Sequence, residues 1–196
     1  MKASYKKHMF LLLPVLAVCL QLQAQTNYIL APGAEFTVSG TSSLHDWTLT
    51  SHSASGEAII NLEESALKDI LKLSVAIKAE TLKSGKSGMD GNTYKALKTK
   101  KNPEISFSLK QIKSIEKKGD HYLVEAGGTL TIAGESRMVS LQAKAYPDMK
   151  KIQLSGSKTF NMTDFKVDPP TALLGTIKTG DEITVHYNFT FINKKS

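Results

Sequence analysis

Between Thr129 and Ala145 the chain alternates apolar and polar residues on both sides of a turn, and this period of two constrains the fold more than any other feature. Leu130 and Ile132 share one face and Thr129 and Thr131 the other; beyond a turn at Gly134-Glu135-Ser136, Val139, Leu141, Ala143 and Ala145 alternate with Ser140, Gln142 and Lys144. Successive side chains of a strand point to opposite faces, so the segment reads as a β-hairpin with one apolar and one wet face. What that apolar face is turned towards becomes the functional question.

The same alternation recurs along most of the chain. An opening strand runs from Tyr28 to Val38, broken at Pro32-Gly33, with Phe36 and Val38 on one face; Leu44 to Leu49 continues it, with His45, Trp47 and Leu49 sharing a parity. Gly56 to Leu62 is a further strand, Glu63 to Asp69 a single helical turn or loop, and Leu71, Leu73, Val75, Ile77 and Ala79 mark the clearest strand of all. Strands resume at Glu104 to Ile112, where Ile105, Phe107 and Leu109 align, at His121 to Ala126, and at Lys151 to Phe160. A last strand, launched by Gly180-Asp181, sets Ile183, Val185, Tyr187, Phe189 and Phe191 against Thr184, His186, Asn188 and Thr190. Residues 81 to 103 break the pattern: a Ser84 to Gly88 loop, Asp90 as an N-cap, and a short helix from Asn92 to Lys101 with Tyr94 and Leu97 on one side, stopped by Asn102-Pro103. Pro169-Pro170 forbids a central strand in the irregular stretch from Asp164 to Gly180.

About eight one-faced strands with a single short helix leave nothing but the sheet to cover the sheet, so the expected fold is an all-β antiparallel sandwich or closed barrel. A transmembrane barrel would carry its apolar band outside, yet the face opposite Leu73 and Val75 bears Lys72 and Lys78. A barrel of about eight strands is either plugged by side chains or just wide enough for one ligand. Small inward residues at Ala79, Ala126, Ala143 and Ala145 tilt the reading towards a hollow interior. The alternation selects Phe36, Val38, Trp47, Leu73, Val75, Ile77 and Phe107, then Leu130, Ile132, Leu141, Phe165, Val185 and Phe189, as the inward, ligand-facing set.

The first residues carry Lys2, Lys6 and Lys7, an apolar run from Met9 to Leu20, and Leu22-Gln23-Ala24, the order of a secretory signal peptide. Residues 1–24 are therefore read as a leader and 25–196 as one domain, periplasmic or secreted; lipidation at Cys19 is disfavoured because Val18 is bulky for a lipoprotein box. Cleavage after Ala24 leaves 172 residues (196 minus 24), enough for one substantial core, and removes the single cysteine. Three leader lysines leave with it, so the formal charge falls from +7 to +4. Arg137 is the sole arginine, which argues against sequence-specific nucleic-acid binding, since lysine lacks the planar two-point contact.

Candidate chemistry is sparse. His45-Asp46, with Ser42 and Ser43 nearby, evokes a hydrolase triad, but no Gly-x-Ser-x-Gly elbow occurs, and neighbouring residues of a strand face opposite ways. His45 is assigned a structural or polar ligand contact, and no catalytic residue is expected. The histidines beyond the leader, His45, His52, His121 and His186, show no ligand spacing, so no metal is expected. Lys95, Lys98, Lys100 and Lys101 form a basic run suited to transient contact with an anionic membrane surface.

Taken together, Gly40-Thr-Ser-Ser-Leu-His-Asp-Trp47, Met89-Asp-Gly-Asn-Thr-Tyr-Lys-Ala-Leu97, Asn102-Pro-Glu-Ile-Ser-Phe107, Gly128-Thr-Leu-Thr-Ile-Ala-Gly134 with Val139-Ser-Leu141, Asn161-Met-Thr-Asp-Phe165 and Gly180-Asp-Glu-Ile183 resemble the YceI-like family of exported bacterial proteins. The resemblance implies a lipocalin-like antiparallel barrel whose apolar tunnel holds a polyisoprenoid, a quinone-like molecule or a similar long-chain amphiphile, without catalytic apparatus. Asn161 and Lys166 stand where many members have Arg and Gly, and Tyr94 and Leu97 where many have a Phe-rich helix. The expected function is an exported lipid carrier; the alternative is a plugged, non-catalytic β-sandwich serving as a structural or adhesion module of the cell envelope.

Overall fold

The structure, a computed structural model, describes residues 26–194; the leader, and with it Cys19, lies outside the described residues. Eleven strands follow in chain order: β1 (Thr26–Leu30), β2 (Glu35–Ser42), β3 (Trp47–Ser51), β4 (Ala54–Glu63), β5 (Ala66–Lys78), β6 (Glu104–Lys118), β7 (His121–Ile132), β8 (Glu135–Asp148), β9 (Lys151–Asn161), the two-residue β10 (Thr171–Ala172) and β11 (Ile177–Asn193). The one α-helix among the described residues, α1 (Ser87–Leu97), lies between β5 and β6.

Hydrogen bonds run β1-β4-β5-β6-β7-β8-β9-β11 and return from β11 to β1, every pair antiparallel. The sheet is thus a ring, not two packed layers, and the sandwich alternative gives way to a barrel. Closure depends on β11. Its later residues pair with β1 (Leu30↔Phe191, Tyr28↔Asn193), while its earlier ones, Thr179 to Asn188, pair with β2. The Pro32-Gly33 break, with Gly33 at φ +87°, lets the chain step between these two positions. β3 extends the β2 side, and its far edge meets the rest through the Thr50–Lys83 bridge and the Ser51–Thr81 hydroxyl pair (2.7 Å). One end is therefore tied shut by β1, and the other is widened by β2 and β3.

Three local readings are corrected by turn chemistry. Leu44 to Leu49 does not continue the preceding strand. Ser42 Oγ accepts hydrogen bonds from the Leu44 and His45 backbone N–H groups (both 3.2 Å) and donates to the His45 carbonyl (2.7 Å), so the chain reverses and β3 runs back with Trp47 opposite Gly40. Glu63 to Asp69 is a tight hairpin, because Glu64 and Ser65 take φ +48° and +67°, the left-handed pair that matches strand twist. The β7–β8 hairpin turns one residue earlier than expected, on Ala133 (φ +51°) and Gly134 (φ +83°), pairing Ile132 with Glu135.

A bulge corrects a fourth. Ile60 pairs with Ile70 but Ile59 with Lys72, so Leu71 has no partner and the parity of β5 flips around it. Ile70 is buried at 4% exposure, whereas Leu71, read as inward, faces solvent at 49%.

The tied end carries the dense part of the core. Ile60, Ile152 and Ala145 are fully buried there, and Tyr28 nearly so. Removing a side chain from a filled interior costs both transfer energy and the new void, whereas a side chain bordering existing space leaves less behind. Ile60→Ala should therefore cost about 2–5 kcal/mol, and Leu130→Ala, on the wall of the interior described below, no more than about 2 kcal/mol. Chemical denaturation of both variants checks this, and equal losses near the upper value would show a plugged interior.

Candidate functional site

Above its packed floor the barrel is hollow, enclosing a cavity of about 990 Å³. That is at the upper end of the roughly 300–1,000 Å³ typical of small-molecule sites. The thirteen residues expected to face inward all border it: Phe36 and Val38 on β2, Trp47 on β3, Leu73, Val75 and Ile77 on β5, Phe107 on β6, Leu130 and Ile132 on β7, Leu141 on β8, Val185 and Phe189 on β11, and Phe165 in a 3-10 turn (Met162–Phe165). Of the small residues read as making room, Ala126 and Ala143 border the cavity. Ala79 and Ala145 are packed into the core at 1% and 0% exposure and leave no space.

The mouth lies at the widened end, rimmed by the 43–46 turn, α1 and residues 170–175. Helix α1 starts earlier than expected and ends earlier, at Leu97, where Lys98 turns left-handed (φ +54°) ahead of Asn102-Pro103. Met89, Thr93, Ala96 and Leu97 present its inner side to the cavity. Asp90 is not the N-cap but lies in the first turn, its Oδ1 accepting from the Ser84 hydroxyl (2.7 Å) and backbone N–H (2.8 Å). Those two bonds hold its carboxyl below the usual carboxylate range. The Tyr94 hydroxyl lies 2.9 Å from both the Glu80 and Leu82 carbonyls and accepts from Lys83 Nζ at 2.6 Å, so Tyr94 anchors the helix instead of lining the site. Lys95, Lys98, Lys100 and Lys101 are exposed and have no hydrogen-bonding or ionic side-chain partner among the described residues.

His45 and Trp47 also stand at the mouth. The Trp47 indole N–H donates to the Thr41 carbonyl (2.9 Å), and its ring lies across Gly40, where a Cβ would come within 2.4 Å of it. His45 Nδ1 lies 2.6 Å from the Asp46 carbonyl. A carbonyl only accepts, so Nδ1 carries the proton and Nε2 is left for another partner. Ser42, His45 and Asp46 do not form a relay, since Ser42 Oγ and His45 Nδ1 both bond to backbone, and His45 meets the Asp46 carbonyl instead of its carboxylate. Among the described residues no group of three or more His, Cys, Asp or Glu side chains is placed to hold a metal. Around these polar groups the rim is apolar and exposed: Leu44 at 65%, Leu173 at 71% and Leu174 completely. Leu173, Leu174 and Gly175 all have positive φ (+48°, +56° and +89°), a strained run that costs about 1–3 kcal/mol for each of the two leucines and holds them outward.

One seam of the ring is split near the mouth. β8 and β9 pair only from Ala143↔Gly156 to Asp148↔Lys151, and beyond Gly156 they part. The 3-10 turn fills the gap. Arg137 Nε donates to the Asp164 carbonyl (2.9 Å), and Phe165 packs edge-on to Phe160 with centroids 5.1 Å apart. Lys166, left-handed at φ +53° where a glycine would be at ease, bridges to Glu135 at 3.0 Å. Tyr187 closes the fork: its hydroxyl donates to the Gln142 carbonyl (3.1 Å) across Gly156, whose Cβ, if present, would lie 2.5 Å from the phenol oxygen. Tyr187, Phe160, Met89 and Leu97 are cavity residues beyond the inward set. Strand parity contains the signal for the first two; nothing local announces the helix residues or the split.

The family profile of the YceI-like domain matches residues 23–191. No curated protein matches the sequence. Among solved structures, BcnA of Burkholderia cenocepacia is 14% identical with a TM-score of 0.64, the match covering 80% of this chain and 95% of that one. A polyisoprenoid binding domain from Saccharophagus degradans is 10% identical with a TM-score of 0.66, covering 87% and 99%. A Campylobacter jejuni YceI protein is 24% identical with a TM-score of 0.55, covering 72% and 82%. At these identities the likenesses establish the fold.

Burial pushes the Tyr187 phenol from 10.0 up to about 12. The folded state then holds the proton more tightly than the unfolded state, so the Tyr187 contribution to stability is complete below pH 10 and is lost as pH rises through about 12. Tyr187→Phe should remove the latest-titrating phenol from an alkaline absorbance titration and, by orphaning the Gln142 carbonyl, cost about 1–3 kcal/mol in denaturant unfolding.

Proposed function

The chain belongs to the YceI-like family, and on that premise we propose that it is an exported carrier that sequesters a long-chain amphiphile, such as a polyisoprenoid, inside its barrel. The observation that carries this reading is the cavity itself: about 990 Å³, walled by the alternating apolar faces of the strands and open at one end. Burial of an apolar chain against such walls supplies affinity at about 25 cal/mol per Å² without a specific polar contact. The fold shared with a polyisoprenoid binding domain supports the ligand class, and the leader-like residues 1–24 support export. The mechanism is shielding and transfer, with no bond made or broken. A plugged structural module would fill this volume with side chains, and the cavity argues against it.

A carrier of this kind has to load from and deliver to a bilayer. The exposed Leu44, Leu173 and Leu174 surround the opening, and the unpaired lysines of α1 and the residues after it flank that rim. Apolar tips beside unpaired cations suit an anionic lipid surface.

Both halves of the reading are testable. Substituting Val75 and Leu141 with Trp narrows the cavity from two facing walls, and native mass spectrometry after gentle purification should show a lipid-sized adduct on the wild type and none on the variant; unchanged adduct content refutes the cavity as the site. In liposome co-sedimentation, vesicles rich in phosphatidylglycerol should pull down the wild type severalfold better than a variant carrying Lys95→Glu, Lys98→Glu, Lys100→Glu and Lys101→Glu. Equal binding would refute the membrane contact.

A further inference from the structure

Among the described residues one charged side chain borders the cavity, Lys158, and no aspartate or glutamate does. Lys158 lies on β9 opposite Val185, and it shares the inward parity of Leu154 and Phe160, while Ser157 and Thr159 between them face solvent. It comes two residues beyond the last β8–β9 rung, in the mouth half of the barrel. It is half-buried, and its side chain makes no hydrogen bond or ion pair with any described residue. The contrast with other lysines of this end is direct: Lys166 is paired with Glu135, and Lys83 donates to Tyr94.

An ammonium turned towards apolar walls loses hydration and gains nothing from the protein in return. An aliphatic residue would pack there at less cost, and the rest of the inward face of β9, Ile152, Leu154 and Phe160 apart from Gly156, is apolar. An anionic group on an occupant of the cavity would supply the missing counter-charge. Lysine offers a compact point charge with three donors, which suits a phosphate or a carboxylate, either of which makes a charge-assisted hydrogen bond stronger than a neutral one. The polar wall residues Ser42, His45, Thr171 and Thr179 belong to the segments around the same mouth. A head group there leaves the chain to run down between Leu130 and Phe189 towards the floor.

We propose that Lys158 holds an anionic head group, so that the carried molecule is an acidic amphiphile, a phosphate or carboxylate on a long apolar chain, in preference to a neutral alcohol or quinone. This rests on the carrier reading and narrows it. The test offers the purified protein equimolar geranylgeranyl phosphate and geranylgeraniol, which share one chain and differ only in the head, with palmitic acid and hexadecanol as the carboxylate pair. Bound ligand is measured by native mass spectrometry for the wild type, Lys158→Met and Lys158→Arg. The wild type should favour the acid of each pair by about tenfold, the worth of about 1.4 kcal/mol. Lys158→Met should bind both members alike, and Lys158→Arg should keep the preference. Equal uptake of acid and alcohol by the wild type, or a preference that survives Lys158→Met, overturns the head-group assignment and leaves the carrier reading standing. Uptake of neither molecule by any of the proteins overturns both.

Discussion

The structure depends on β11 pairing with two strands along one edge. Over seventeen residues it gives its later part to β1 and its earlier part to β2, with β9 along the other edge from Glu182 to Ile192. Pairing with β1 closes the ring, and closure leaves none of its strands as a free edge strand for a helix to cover. Pairing with β2 keeps the other end from closing as tightly, because β2 and β3 are inserted where β1 leaves off. A packed floor and an open mouth follow from the same strand. The cavity between them is a consequence of the topology more than of any one small residue, as the buried positions of Ala79 and Ala145 show.

The departures from the regular ladder gather around the mouth. The β8–β9 seam parts above Gly156, and a 3-10 turn, an arginine, a tyrosine and a left-handed lysine are all engaged in bridging it. The mouth carries two strained, outward leucines that a fold selected for stability alone would not keep exposed. Helix α1 does little for the core. It is tied from outside by Asp90 and Tyr94 and offers its other side to the cavity, as the wall of a site and not as the cover of a sheet.

Much of the wall was legible in the sequence. Side chains in a strand have only two directions, so once one residue of β5, β7 or β11 is assigned inward its parity-mates follow, and Val75, Leu130 and Val185 could be named without knowing which strands they faced. The same logic failed at Leu71, where a bulge resets parity with no sequence mark beyond another apolar residue. It failed between Leu44 and Trp47, where one serine hydroxyl turns the chain that alternation alone would have continued. Lys158 interrupts the apolar parity of β9, and that no described side chain pairs with it depends on the placement of all the neighbouring strands.

The sequence by itself determined that this chain is all-β, one-faced in nearly every strand and short of helices to cover them, because those properties are local and repeat at a period the backbone imposes. Only the tertiary structure decided that the faces enclose space instead of filling it. Interior volume depends on how many strands close the ring, where one strand changes partners and which seam splits, and these are relations between residues far apart in the chain that no local pattern encodes.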